Sequence, residues 1–234
     1  MAGVSSLAVS SQTTNSTYYQ TGSFTPAASS VLVAFVAASG TVAQDAFLEI
    51  TTQQWRRFTQ ITTAQWESST NTLYAYVANG SCNGQACVVR WDCASDAATG
   101  AIIQVYGVSS VHRVGSNLVR QVAVQLNQAA STRPNPTFGF STSSINAIFG
   151  AVANNSSLAA MLPPTSWDEG FDTGYATPLT GLETVYVSSG AASTVITWGS
   201  STSSLGCSIV MELNTTTTDT WMGSICDVEM VRIY

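Results

Sequence analysis

The sequence predicts an all-β protein, an antiparallel two-sheet β-sandwich of jelly-roll-like type with little or no helix. Three observations lead there. The polar residues are overwhelmingly uncharged: Ser and Thr fill about a quarter of the 234 positions, Asp, Glu, Lys and Arg together make 9%, and lysine is absent. Small and β-branched residues suit a pleated surface, whereas helix surfaces draw on Glu, Lys, Arg and Gln. The apolar residues recur with a period of two, and turn-forming pairs separate the alternating runs.

The elements follow in chain order. Residues 1–20, rich in Ser and Thr and ending in Tyr18-Tyr19, read as an N-terminal arm. Val31 to Ala38 is an unbroken apolar run that suits a strand buried on both faces. It is far shorter than the ~20 residues a membrane-crossing helix needs. Leu73 to Val77 alternates, as do Gln121 to Asn127, Thr184 to Ser188 and Asp227 to Tyr234. Ile145 to Val152 is more uniformly apolar and suits a covered central strand. Ser39-Gly40, Asn79-Gly80, Asn83-Gly84, Pro163-Pro164 and Ser189-Gly190 are turn signals. Asn155 to Leu162 has room for one or two helical turns at most. About a dozen strands result, at the spacing of a sandwich or barrel.

Arg133-Pro134-Asn135-Pro136 is either a linker between two domains or a loop between strands. The loop is preferred, because neither half has enough strands to close a two-sheet core by itself. The expected organisation is therefore an arm at 1–20, one sandwich domain at 20–214, and an extension at 215–234. That extension starts in a Thr-rich spacer and is either a last strand or an arm onto a neighbouring subunit.

A net charge of −6 disfavours nucleic acid, whose phosphates call for Lys and Arg, and anionic membrane surfaces. Met1 to Ser11 has no basic stretch ahead of an apolar one, so no signal peptide is expected.

No set of residues points to catalysis, and no cofactor or metal is expected. His112 is the only histidine. It lies in Ser109-Ser110-Val111-His112-Arg113, where strand neighbours point to opposite faces and no Gly-x-Ser-x-Gly elbow occurs. Trp167, Asp168, Glu169 and Asp172 form one acidic cluster beside an aromatic ring. A sugar or calcium would use such groups, and an acidic surface loop is the plainer reading; Trp167, Asp168 and Asp172 are the candidate ligand contacts. Cys82 and Cys87 flank an Asn-Gly turn and are the candidate disulfide. Cys93, Cys207 and Cys226 complete the five, without a zinc-type C-x₂-C pair. Of the six tryptophans most are expected in the core, with Trp167 and Trp221 in loops.

Phe24-Thr25-Pro26-Ala27-Ala28-Ser29-Ser30-Val31-Leu32-Val33-Ala34-Phe35-Val36 opens an ordered series. It continues with Trp55-Arg56-Arg57-Phe58, Leu73 to Val77 and Ile102 to Val108, and closes with Cys207-Ser208-Ile209-Val210-Met211-Glu212-Leu213. In this order, over roughly residues 20–214, the segments resemble β-sandwich modules of structural proteins of tailed bacteriophages. The resemblance implies a non-enzymatic virion protein of the capsid-decoration, head-fibre or tail-fibre type. It would be made in the host cytoplasm and carried on the virion surface. Decoration or cementing of the capsid is the leading expectation, and a receptor- or glycan-binding fibre module is the alternative. The implied partners are the major capsid protein or other virion proteins, further copies of the chain (a homotrimer, for example), and, for the alternative, a host surface glycan. Subunit or capsid contacts are expected from Tyr18 and Tyr19 and from Trp221, Met222, Ile225, Val228, Met230, Ile233 and Tyr234.

Overall fold

A computed structural model describes residues 2–40, 46–51, 56–67, 70–79, 84–93, 97–112, 117–130, 132–156, 161–201 and 204–216. The fold is all-β, with fourteen strands in three antiparallel sheets and no helix among the described residues. The central sheet has the order β1 (Gly3–Gln12), β9 (Gly100–Ser109), β3 (Val31–Ser39), β7 (Asn71–Asn79), β6 (Thr59–Trp66). The second sheet runs β10 (Val119–Gln128), β14 (Gly206–Leu213), β11 (Ala147–Asn154), β13 (Leu179–Val187), β12 (Asp168–Ala176). A smaller sheet joins β2 (Tyr18–Gln20), β8 (Val89–Asp92), β4 (Phe47–Ile50) and β5 (Arg56–Arg57). The two five-stranded sheets each keep to one half of the chain, and within the first half the strands alternate between the central and the small sheet.

The apolar run of β3 explains the layering. Every residue of β3 is buried. Val31, Val33, Phe35 and Ala37 pack with Ala147, Phe149, Ala151 and Ala153 of β11, closing the sandwich between the two five-stranded sheets. Leu32, Ala34, Val36 and Ala38 face the other way and pack with Leu48, Ile50, Val89 and Trp91 of the small sheet. The sandwich therefore carries a third layer. Its strands are two to four residues long and sit within the connections of the first half.

A buried polar seam ties the two large sheets together. The Gln104 side-chain N–H donates to Leu182 O at 3.0 Å, and the Thr184 hydroxyl donates to Gln104 Oε1 at 2.7 Å. Tyr106 Oη bonds Thr184 Oγ1, and its ring lies against Phe149, Phe171 and Tyr186. Satisfied networks of this kind fix one register in a low-dielectric core. Gly170, at the bulge of β12, is required here, because a Cβ would fall 2.0 Å from Tyr106 Oη.

Several expectations on organisation are met or revised. Gly40, Gly84 and Gly190 take positive φ in the expected turns. Arg133 to Pro136 lies along the outer side of the second sheet, where Ile196 N–H and Trp198 N–H donate to Pro136 O and Pro134 O. Residues of both halves share one core. The stretch read as an N-terminal arm is taken up into β1, which pairs with β9, and into β2. Tyr19 is corrected as a contact residue. It is buried between the central and small sheets, and its hydroxyl donates to Thr14 O or Ala98 O, 2.8 and 2.6 Å away. Tyr18, one residue earlier, points outward and is 46% exposed, as the period of two requires. The candidate contacts Trp221, Met222, Ile225, Val228, Met230, Ile233 and Tyr234 lie outside the described residues.

Candidate functional site

The second sheet turns its outer face away from the central sheet, and strand alternation settles which residues stand on it. Leu182, Ala153, Cys207 and Phe171 belong to the inner core. Glu183, Asn154, Ser208 and Asp172, each one position on, therefore face outward. Loops cover this face. Phe138 and Ile196 pack on Ile148 and Val210, and Met161 and Trp198 on Val152 and Val185, with Trp167 touching both groups.

Two glutamates are fully buried there, in opposite environments. Glu212 on β14 is held from every side. Arg120 reaches both of its carboxylate oxygens at 2.8 Å, Ser143 N–H and the Asn146 amide reach Oε1 at 2.8 Å, and the Gln121 amide reaches Oε2 at 2.5 Å. Burial pushes this carboxyl up, but the Ser143, Gln121, Asn146 and Arg120 donors more than offset it, so it sits below the usual carboxylate range. Among the described residues Glu183 on β13 has one donor, Met161 N–H, on Oε2, and its Oε1 is buried without a partner. Burial, relieved only by that N–H and reinforced by the like charges of Asp172 and Glu169, pushes its carboxyl up to about 8. Nearby, both amide atoms of Asn154, Ser208 Oγ and Trp198 Nε1 are also buried without hydrogen-bond partners. Neither glutamate stands out in the sequence: Glu212 alternates with the apolar Met211 and Leu213, and Glu183 is a lone acid on the face that also carries Val185 and Val187.

The Trp167 cluster is divided by the bulge of β12. Asp168 pairs with Tyr186 and raises its hydroxyl pKa after burial has done so, which places it on the inner side. Asp172 pairs with Glu183 on the outer side. Trp167 is half-buried, and its ring edge lies over Gly150, 3.5 Å from where a Cβ there would stand. The three residues do not share one surface. His112 is exposed in the turn after β9, where its backbone N–H donates to Asn214 O. Cys87 is buried beside Phe24, with which it exchanges two backbone hydrogen bonds; its candidate partner Cys82 lies outside the described residues. Cys207 is a buried thiol, pushed well up by burial. Trp66, Trp91 and Trp198 are core residues. Among the described residues no group of three His, Cys, Asp or Glu is placed to hold a metal ion.

Exposed large apolar side chains among the described residues include Val9, Tyr18, Val124, Phe140, Ile145 and Val195 as well as the leucines. All four exposed leucines among the described residues (Leu126, Leu162, Leu179 and Leu205) lie toward the same end of the second sheet. There β10 and β11 finish and β13 and β14 begin, with Gln128 and Asn154 both paired to Gly206 and Leu205 O accepting from Asn155 N–H. The long edge strand β1 carries no charged residue, so nothing on it repels a further strand. Three arginines are held over aromatic rings: Arg57, Arg90 and Arg120 lie over Phe47, Tyr18 and Phe140 at 4.1, 4.2 and 4.7 Å. Arg56, Arg57, Thr59, Ala78 and Asn79 line an open cleft beside β5.

Comparison with protein-family models, with curated proteins and with solved structures finds no match to the chain.

Proposed function

We propose that this chain is a structural protein of a tailed-bacteriophage virion, decorating or cementing the outer capsid surface through protein–protein contacts. The observation that carries the reading is the leucine-bearing end of a rigid, weakly charged β-body. Exposed apolar side chains gathered toward one end of a sheet give a partner apolar area to cover. The uncharged edge of β1 adds a second place where another chain can pair, as in β-augmentation. A hydrated Ser/Thr surface without lysine suits a protein carried outside the cell and offers trypsin few cuts. The partners of this reading are the major capsid protein and further copies of the chain, a homotrimer among the arrangements that close.

The test is rebinding to capsids stripped of the protein, with wild type compared with the double variant Leu126→Asp/Leu205→Asp. Exposed substitutions of this kind change stability by no more than about 0.5 kcal/mol. The expected outcome is an unchanged melting temperature, lost capsid binding, and wild-type copy numbers in the hundreds per particle. Rebinding of the double variant at wild-type level would remove the leucine end from the reading. Stripped particles that keep full heat and salt resistance would remove the cementing role.

A second reading, a glycan-binding module of a tail or head fibre, draws on Tyr18. Its exposed ring stands beside Arg90, which bonds Asp92 at 2.6 Å. It predicts a handful of copies per particle and sugar binding that Tyr18→Ala removes. Trp167 contributes little to it, being packed against the second sheet.

A further inference from the structure

Four edge strands bound the two large sheets, and they differ in how they meet a further strand. β10 carries Arg120, and β12 carries Asp168, Glu169 and Asp172; charges of this kind discourage edge pairing. β6 and β1 carry none. Among the described residues β1 pairs with β9 alone, and none of its ten residues is buried. Its outward backbone N–H and C=O groups form a template roughly 30 Å long.

The described part of the C-terminal half ends beside this edge. Beyond β14, Thr215 bridges Val111, and Thr216 N–H donates to Ser110 O. Ser109, one residue back, is paired with Gly3, the first residue of β1. Thr216 therefore stands one strand from β1 and three from β6. The sequence continues with the hydrophilic Thr217-Thr218-Asp219-Thr220 and then with Trp221 to Tyr234, fourteen residues that include Met222, Ile225, Val228 and Met230. Apolar side chains of this kind gain by leaving water.

Direction decides whose β1 this segment fits. Entering at the Gly3 end and running along its own β1, it would lie parallel to that strand. Every strand pair among the described residues is antiparallel, and parallel pairing is slightly weaker per residue. A second copy, related by a two-fold axis normal to the sheet, presents its β1 in the opposite sense. The same segment, running the same way, is antiparallel to that β1. We propose that residues 221–234 of each copy add as a strand to the free edge of β1 of a second copy, so that two chains form a two-fold dimer by exchanging C-terminal segments. The two exchanged segments then lie side by side between the two β1 strands. Each crosses three strand spacings from the β9 position, about 14 Å, and the five Cα steps from Thr216 to Trp221 span up to about 17 Å. Such a contact is isologous and closes on itself. The inference rests on the reading above in taking β1 as a place where another chain pairs, and it names that chain.

The experiment weighs the full chain in solution by light scattering and maps the contact by cross-linking. The wild type is expected at twice its single-chain mass of 24.5 kDa. Val228→Pro/Val231→Pro, which removes two ladder donors from the segment, should bring the mass down to that of one chain. Ser5→Cys, Val9→Cys and Ser11→Cys place new thiols at exposed positions of β1. A short bis-maleimide should join at least one of them to the native Cys226 of a second chain, as a band of doubled mass on a denaturing gel. Leu126→Asp/Leu205→Asp should stay dimeric, so that loss of the dimer and loss of capsid rebinding are scored separately. The proposal is overturned by a monomeric wild type, by a cross-link confined within one chain, or by a dimer that yields no cross-link at any of the three positions. It is equally overturned if the proline variant stays dimeric or the leucine variant becomes monomeric.

Discussion

Replacing Glu183 by Gln isolates the cost of its buried carboxyl. The folded state holds this group at about 8, against 4.5 for an ordinary glutamate. Between those values the folded chain keeps a proton that the unfolded chain has released, so stability falls as pH rises. The slope is about 1.4 kcal/mol per pH unit for one group. The contribution is fully present below the unfolded value and is lost by the folded one. The loss across that window comes to roughly 5 kcal/mol, a large part of the 5–15 kcal/mol that holds a typical domain together. Glutamine keeps the shape of the protonated acid and an acceptor for Met161 N–H, and it carries no charge to desolvate. The assay is urea unfolding of both proteins from about pH 5 to about pH 8.5. The two should have similar stability at the acid end, and the variant should be ahead by roughly 3–5 kcal/mol at the basic end. Parallel pH profiles for the two proteins would refute the reasoning.

The other predictions concern the same sheet. Glu212→Gln should destabilise the fold by roughly 3–5 kcal/mol at neutral pH, because Arg120 and the donors around it lose their buried counter-charge. With its folded value lowered, the Glu212 contribution is present above the ordinary glutamate value and disappears as acid protonates the folded carboxyl. Unfolding midpoints of wild type and variant should therefore converge toward low pH. Gly170→Val should cost at least about 2–3 kcal/mol and weaken the Tyr106–Thr184 contact, since the new Cβ must displace the Tyr106 hydroxyl. A thermal melt compared with that of Tyr106→Phe checks it.

Much of this fold was legible because it rests on long strands. The Val31 to Ala38 run announced a strand covered on both sides, and β3 has its two faces in two different cores. The Ile145 to Val152 run became β11, again covered on both faces. What the run did not announce is what covers its second side. Strands such as Phe47–Ile50 and Arg56–Arg57 are too short to show a period. Tyr18-Tyr19 looked like a contact pair, yet a period of two lets only one of them face out. The buried acids were hidden for a different reason. Glu183 shares its side of β13 with Val185 and Val187, and only the covering loops, with Phe138, Met161, Ile196 and Trp198, turn that side into an interior. Those apolar loop residues were the available signal, since they had to bury themselves on some surface. The acidic cluster was noticed through Asp172, but its partner Glu183 comes from the next strand, and pairing register is not written in local spacing.

The segregation of sheets along the chain has a bearing on biogenesis. Among the described residues, the core beneath the small sheet draws on Tyr19 to Val105 and on no later segment. A nascent chain can assemble that layer early, while Val31, Val33 and Phe35 on the opposite side wait for β11 and β14 to be translated. Until then the intermediate exposes a broad greasy surface, the kind that self-associates or recruits chaperones. The ribosome-bound first half is thus the stage at which this protein is most prone to aggregate.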